Sequence, residues 1–288
     1  MKKYVSEFTG TALYVFLGCG SAVIANLLFN ALGITLPLAY TNLLIAVAFG
    51  LGFMALWFFL SQISGCHLNP AVSLGKLITK KMSVKDFAGY VIAQFAGGFA
   101  GAGLLIFIIG GRYSFYANEY GMGSVLGTKP GTAFVIEAVL TFILVSVFLK
   151  VTETEEHSFT GGIAVGLTLI GLNIFGAPFT GTSVNPARSL GTGILQGGAA
   201  MTQVWLFVLA PLAGAVLAAL FYGAMNNTWK KAMEEPAAEE EAEAVEEDEE
   251  SAAEKEEVTE PECEEEPVTE EETEEKEETG GEKKEPEA

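Results

Sequence analysis

The chain has 288 residues and a formal net charge of −20, yet half of it is hydrophobic. The charge sits at one end: residues 1–230 carry 11 Lys+Arg against 7 Asp+Glu, and residues 231–288 carry 5 Lys against 29 Asp+Glu. Long uncharged runs rich in Phe, Leu, Ile and Gly before residue 230 exclude an ordinary soluble domain and describe membrane segments, while Cys19, Cys66 and Cys263 lie too far apart in character to form a disulfide framework.

In chain order, Met1-Lys2-Lys3 leads into an apolar run that Glu7 interrupts and that continues to Phe29. This reads as a retained first membrane helix rather than a cleaved signal peptide. Apolar stretches near the bilayer-crossing length of about 20 residues fall at 5–29, 38–60, 85–109, 131–151, 160–177 and 201–225. Two shorter segments, 70–79 and 186–196, are each about 15 Å long as helix, half of a ~30 Å hydrocarbon core. The predicted fold is all-α, six transmembrane helices plus two half-spanning re-entrant helices. Residues 1–230 form the predicted transmembrane domain, in two repeats of about 1–127 and 128–230. Residues 231–288 have too few large apolar side chains to offset ordering entropy, and are expected to be a disordered acidic tail.

Each short segment opens on the same tripeptide. Ser64-Gly65-Cys66-His67-Leu68-Asn69-Pro70-Ala71-Val72-Ser73-Leu74-Gly75 returns 116 residues later as Thr180-Gly181-Thr182-Ser183-Val184-Asn185-Pro186-Ala187-Arg188-Ser189-Leu190-Gly191, identical at seven of twelve positions. Asn-Pro is a helix start, because Asn caps and Pro is tolerated at the first helical position. The likeness continues from Val91–Gly97 to Val208–Gly214, and Glu7 has a counterpart in Glu137. A unit of three spans places its second copy upside down, so the repeat is inverted and the half-helices point at each other. Nine Lys fall on the side of the N-terminus (Lys2, Lys3, Lys76, Lys80, Lys81, Lys85, Lys150, Lys230 and Lys231), against Arg112 and Lys129 in loops on the other side. That bias predicts cytoplasmic termini and tail. Glycine-rich stretches such as Gly97–Gly103 suit close helix approach.

A half-helix ending at the midplane presents unpaired N–H groups and about half a positive charge. Asn69 and Asn185 can cap these ends and keep their NH2 groups for a passing molecule. A cation meets this potential on top of a desolvation cost of at least ~2.5 kcal/mol. A small neutral acceptor does not, and a water turned by the two Asn donors breaks a proton-conducting chain.

These residues resemble the aquaporin, or major intrinsic protein, family over roughly residues 4–225, through Ser6–Thr11, Ser64-Gly65, Gln94 and the two boxes Asn69-Pro70-Ala71 and Asn185-Pro186-Ala187. The resemblance implies a homotetramer in the cell membrane with one pore per subunit, and no cofactor, metal or nucleic-acid partner. It implies an outer constriction of Phe49, Asn173, Thr182 and Arg188. Asn173 departs from the His usual in water-selective members and the Gly of glycerol-type members, whereas Phe49 and Ser189 match the water type. Glu7 and Glu137 are implied as buried acids that accept hydrogen bonds from the re-entrant loops. His67 is either a pore residue or a packing histidine. Cys66, matched to Thr182, is expected in the cytoplasmic half of the pore and open to mercurial reagents.

The expected function is passive water transport that excludes protons and ions. A channel for glycerol or another small uncharged solute is the alternative, and a membrane scaffold with a closed pore is the third reading. An enzyme is not expected, because no nucleophile–base pair, metal cluster or phosphate loop occurs. Tail partners are open.

Overall fold

A computed structural model describes residues 1–34, 37–110, 117–153 and 158–226. Arg112, Lys230, Lys231, Cys263 and the acidic tail 231–288 lie outside the described residues. The described residues belong to one unit, Met1–Ala232.

Six helices are long and apolar enough to cross a membrane: α1 (Lys2–Leu32), α2 (Leu38–Ser64), α4 (Val84–Ile109), α5 (Pro130–Val151), α6 (Ser158–Thr180) and α8 (Gly198–Asn226). Two short helices, α3 (Pro70–Ile78) and α7 (Pro186–Gln196), follow the Asn-Pro-Ala boxes as predicted. No strand occurs among the described residues. Helix is the economical form for such sequence, since lipid offers no partner to a backbone N–H or C=O. The long helices show no polar stripe; they bury one face in the bundle and expose leucines and phenylalanines such as Leu51, Phe59, Phe107 and Leu217 on the other.

The bundle is built twice. α1 packs on α4, and α5 packs on α8 in the same way. Both pairs need a glycine at the closest approach: a Cβ at Gly97 would collide with the carbonyl oxygen of Phe8, and one at Gly214 with that of Ala138. The halves meet along α2 and α6. There Gly50 and Gly166, 116 residues apart, face each other. A Cβ on Gly50 would stand 2.5 Å from the Gly166 carbonyl oxygen, and one on Gly166 would stand 2.8 Å from that of Gly50. A local twofold axis therefore runs between these two glycines. Residues before each half-helix also match: Gly65 and Gly181 take left-handed φ of 77° and 73° to turn the chain back into the bundle.

At the N-terminal ends of α1 and α4, Asp86 anchors the two helices, accepting a hydrogen bond from the Tyr4 hydroxyl (2.9 Å) and pairing with Lys3 (2.7 Å). The loop before α4 is closed by Lys81, whose Nζ donates to the Tyr222 hydroxyl at 2.8 Å; burial draws the Lys81 ammonium below its ordinary pKa.

Candidate functional site

The two re-entrant loops run in backbone conformations that side chains rarely tolerate. Cys66 (φ 50°), Leu68 (50°), Thr182 (49°) and Val184 (44°) are left-handed non-glycine residues at matching positions. Val184 is β-branched, for which such a φ is a true outlier. A buried carboxylate holds each loop in place. Glu7 accepts from the backbone N–H groups of His67 (3.0 Å) and Leu68 (2.7 Å), from the Ser64 hydroxyl (2.7 Å) and from Gln94 Nε2 (2.7 Å). Glu137 accepts from the N–H groups of Ser183 (2.9 Å) and Val184 (2.9 Å) and from the Thr180 hydroxyl (2.6 Å). Both acids are fully buried, and every partner here is a donor, so each acts as a scaffold for loop backbone.

The loops deliver Asn69 and Asn185 to the ends of α3 and α7. Asn69 Oδ1 accepts from Ala71 N (2.9 Å), and Asn185 Oδ1 accepts from Ala187 N (3.0 Å) and Arg188 N (3.3 Å). Pro70 and Pro186 occupy the first helical position, where a missing N–H costs nothing. Each amide nitrogen then crosses the twofold: Asn69 Nδ2 donates to Val184 O and Asn185 Nδ2 donates to Leu68 O, both at 2.8 Å. This refines the sequence expectation. An amide has two N–H donors, one is spent tying the half-helices together, and one per Asn remains for the pore.

Asn69 and Asn185 line an inner cavity with His67, Leu68, Val184 and an apolar wall that includes Val72, Leu144, Phe148 and Leu169. His67 lines this cavity and is packed between Tyr90 (centroids 5.1 Å) and Phe148 (5.4 Å), with Nδ1 3.0 Å from Ser73 Oγ. Cys66 is fully buried, and among the described residues its neighbours His67 and Leu68, not Cys66, line the cavity.

Arg188 is also buried, its guanidinium carbon 5.6 Å from the centre of the Phe49 ring. Gly18 makes room for that ring, since a Cβ there would overlap it. Thr182 packs against Gly176 of α6, one turn beyond Asn173. Asn173 Nδ2 donates to Leu169 O at 2.8 Å, which fixes the carboxamide and leaves Oδ1 as an acceptor. Phe49 and Arg188 are thus in direct contact, whereas Asn173 and Thr182 share a helix neighbourhood. Beyond them lies an outer cavity of about 220 Å³, bordered by Asn42, Glu119, Thr180, Gly181 and Gln196.

Asn118 is a site residue that sequence reasoning missed. Its Oδ1 accepts from Arg188 Nη1 and from the Ser189 hydroxyl (2.7 Å), and its Nδ2 donates to Thr180 O (3.1 Å). It fixes the guanidinium in place from a segment 70 residues away.

A family model described as "Major intrinsic protein" matches residues 1–222. The chain belongs to the major intrinsic protein family. It is 39% identical over 230 residues to a protein named Aquaporin Z from Rhodopseudomonas palustris, covering 78% of this chain and 93% of that one. It is 38% identical over 229 residues to "Glycerol uptake facilitator protein-like 6" from Lactiplantibacillus plantarum, covering 79% of this chain and 99% of that one. Among solved structures, the aquaglyceroporin from Plasmodium falciparum superposes with a TM-score of 0.65 at 26% identity, covering 77% of this chain and 94% of that chain. As a major intrinsic protein, the chain is a multi-pass membrane channel that passes water or small solutes.

Proposed function

We propose that this major intrinsic protein is a passive water channel that excludes protons and ions. The reading places it in the cell membrane as a homotetramer with cytoplasmic termini. One observation carries the choice of water. The cavity at Asn69 and Asn185 leaves the centre of a water-sized sphere only about 10 Å³ to move in, against about 220 Å³ in the outer cavity, a tight space that favours the smallest neutral solute. Water in single file meets a largely apolar wall in which the free Asn N–H groups stand at the half-helix ends, so it accepts from them and turns its own hydrogens away along the pore. Neighbouring waters then cannot relay a proton across the midplane. A cation finds the positive ends of α3 and α7 there and Arg188 further out, and among the described residues no carboxylate lines the inner cavity.

The glycerol alternative draws support from the facilitator-like relative and from the shortness of Asn173. Stopped-flow light scattering of proteoliposomes under an impermeant osmotic gradient and under a glycerol gradient separates the two. Fast water flux with glycerol entry near that of empty vesicles is expected; glycerol entry comparable to water overturns the assignment.

A further inference from the structure

We propose that Tyr14 is a second size filter of this channel, set inward of the Phe49–Arg188 pair, and that its ring decides whether neutral solutes broader than water pass. The inference rests on the reading of the chain as a neutral-solute channel.

Tyr14 is the α1 residue that lines the inner cavity, where it stands with Asn69, Asn185, Leu169 and Val184. Its ring is wedged between two aromatic rings of α2: Phe49 with centroids 5.4 Å apart at 65°, and Phe53 at 6.1 Å and 86°. Both are edge-on arrangements, which hold aromatic rings more firmly than area burial alone. Neither support can yield easily. Phe49 fills the space over Gly18 and carries the Arg188 guanidinium on its other contact, and Phe53 leans on Trp57, which leans on Phe148 across the bundle. The Tyr14 ring is therefore a fixed wall of the pore. The cavity it borders leaves the centre of a water-sized sphere only about 10 Å³, so a three-carbon polyol, broader than water, is the solute the ring hinders more.

The phenol hydroxyl adds a second property. It makes no hydrogen bond to protein among the described residues, in a wall whose other polar side chains are His67, Asn69 and Asn185 and whose remainder is apolar. A water in the cavity can satisfy it, so the hydroxyl gives passing water a station while the ring denies space to larger solutes.

The full-length chain in proteoliposomes tests this, with water, glycerol and urea as probes. Tyr14→Ala and Tyr14→Phe are each made in the native chain and in an Asn173→Gly background, because two constrictions in series mask one another. Tyr14→Ala is expected to raise the glycerol-to-water permeability ratio about tenfold or more over its own parent in at least one background. Tyr14→Phe keeps the ring and is expected to leave that ratio within about twofold while slowing water by about two- to tenfold, the worth of one hydrogen bond. An unchanged ratio in Tyr14→Ala in both backgrounds overturns the proposal, as does a ratio in Tyr14→Phe raised as far as in Tyr14→Ala. If Tyr14→Ala yields no water flux, Tyr14→Leu is held to the same criterion. A native chain that conducts no water overturns the channel reading itself, a result distinct from either.

Discussion

Replacing Glu137 by Gln changes one oxygen into an amide nitrogen and little else in size. Glu137 takes Ser183 N and the Thr180 hydroxyl on Oε1, and Val184 N on Oε2. A glutamine has one acceptor oxygen. If it serves Oε1, the Val184 N–H faces another donor; if it serves Oε2, the Ser183 N–H does. One buried backbone N–H is orphaned either way, at about 1–3 kcal/mol. At roughly 2–4 °C per kcal/mol for a domain of this size, the melting temperature falls by about 2–12 °C. Glu7→Gln orphans one N–H by the same logic, but its new NH2 group has an extra acceptor within reach. Gln94 Oε1 has no hydrogen-bond partner in the native arrangement, so Gln94 can turn its amide and accept from the new NH2 group. The matching residue in the second repeat is Pro211, which has no side-chain polar atom to offer. Glu137→Gln is therefore expected to be the more damaging of two symmetry-related changes. Thermal unfolding of detergent-purified protein, followed by tryptophan fluorescence, ranks the two against the native chain. A Glu137→Gln protein as stable as native refutes the scaffold argument, and a Glu7→Gln protein that melts lower than Glu137→Gln refutes the role given to Gln94.

Further outcomes follow from the site. Asn118→Ala removes the acceptor of Arg188 and Ser189 and is expected to lower water permeability by about two- to tenfold, the worth of one hydrogen bond; unchanged flux would place Arg188 under other control. Arg188→Val, which restores the residue of the first repeat, is expected to admit cations, read as a proton or sodium leak with a vesicle dye, whereas a tight vesicle counts against fixed charge as the barrier. The burial of Cys66 and Cys19 predicts water flux insensitive to mercurial reagents over minutes. Rapid block that disappears in Cys66→Ser would instead put the thiol in the pore, as its match to Thr182 suggests.

The spans were legible because a bilayer demands some 20 apolar residues per crossing, and the half-helices because Asn-Pro in such sequence has few other uses. Glu7 and Glu137 were legible as a pair through the repeat and the family. What the repeat supplies is backbone position, and side-chain direction is a separate matter. Cys66 is buried in the core while His67 and Leu68 face the cavity, and a twelve-residue match does not encode that direction. Asn118 was hidden for a different reason: its counterpart 116 residues earlier is Lys2, so no symmetry marks it and only folding brings it to Arg188. Tyr14 was hidden in plain apolar sequence, where an aromatic residue is ordinarily core. The crossed Asn69–Val184 and Asn185–Leu68 bonds were also beyond reach, since the motif implies caps but not how closely the caps approach.

The self-facing contact of Gly50 and Gly166 makes the centre of this protein an isologous interface enclosed in one chain. Two separate half-length subunits could form the same α2–α6 seam and the same crossed asparagines. In such a dimer, however, each substitution would appear at both mouths of the pore: arginine at both or at neither, tyrosine on both α1 helices or on none. Covalent fusion lifts that constraint. Val72 can stand opposite Arg188, and Pro211 opposite Gln94, because the halves need agree only at the seam, and a symmetric scaffold thereby carries two unlike faces.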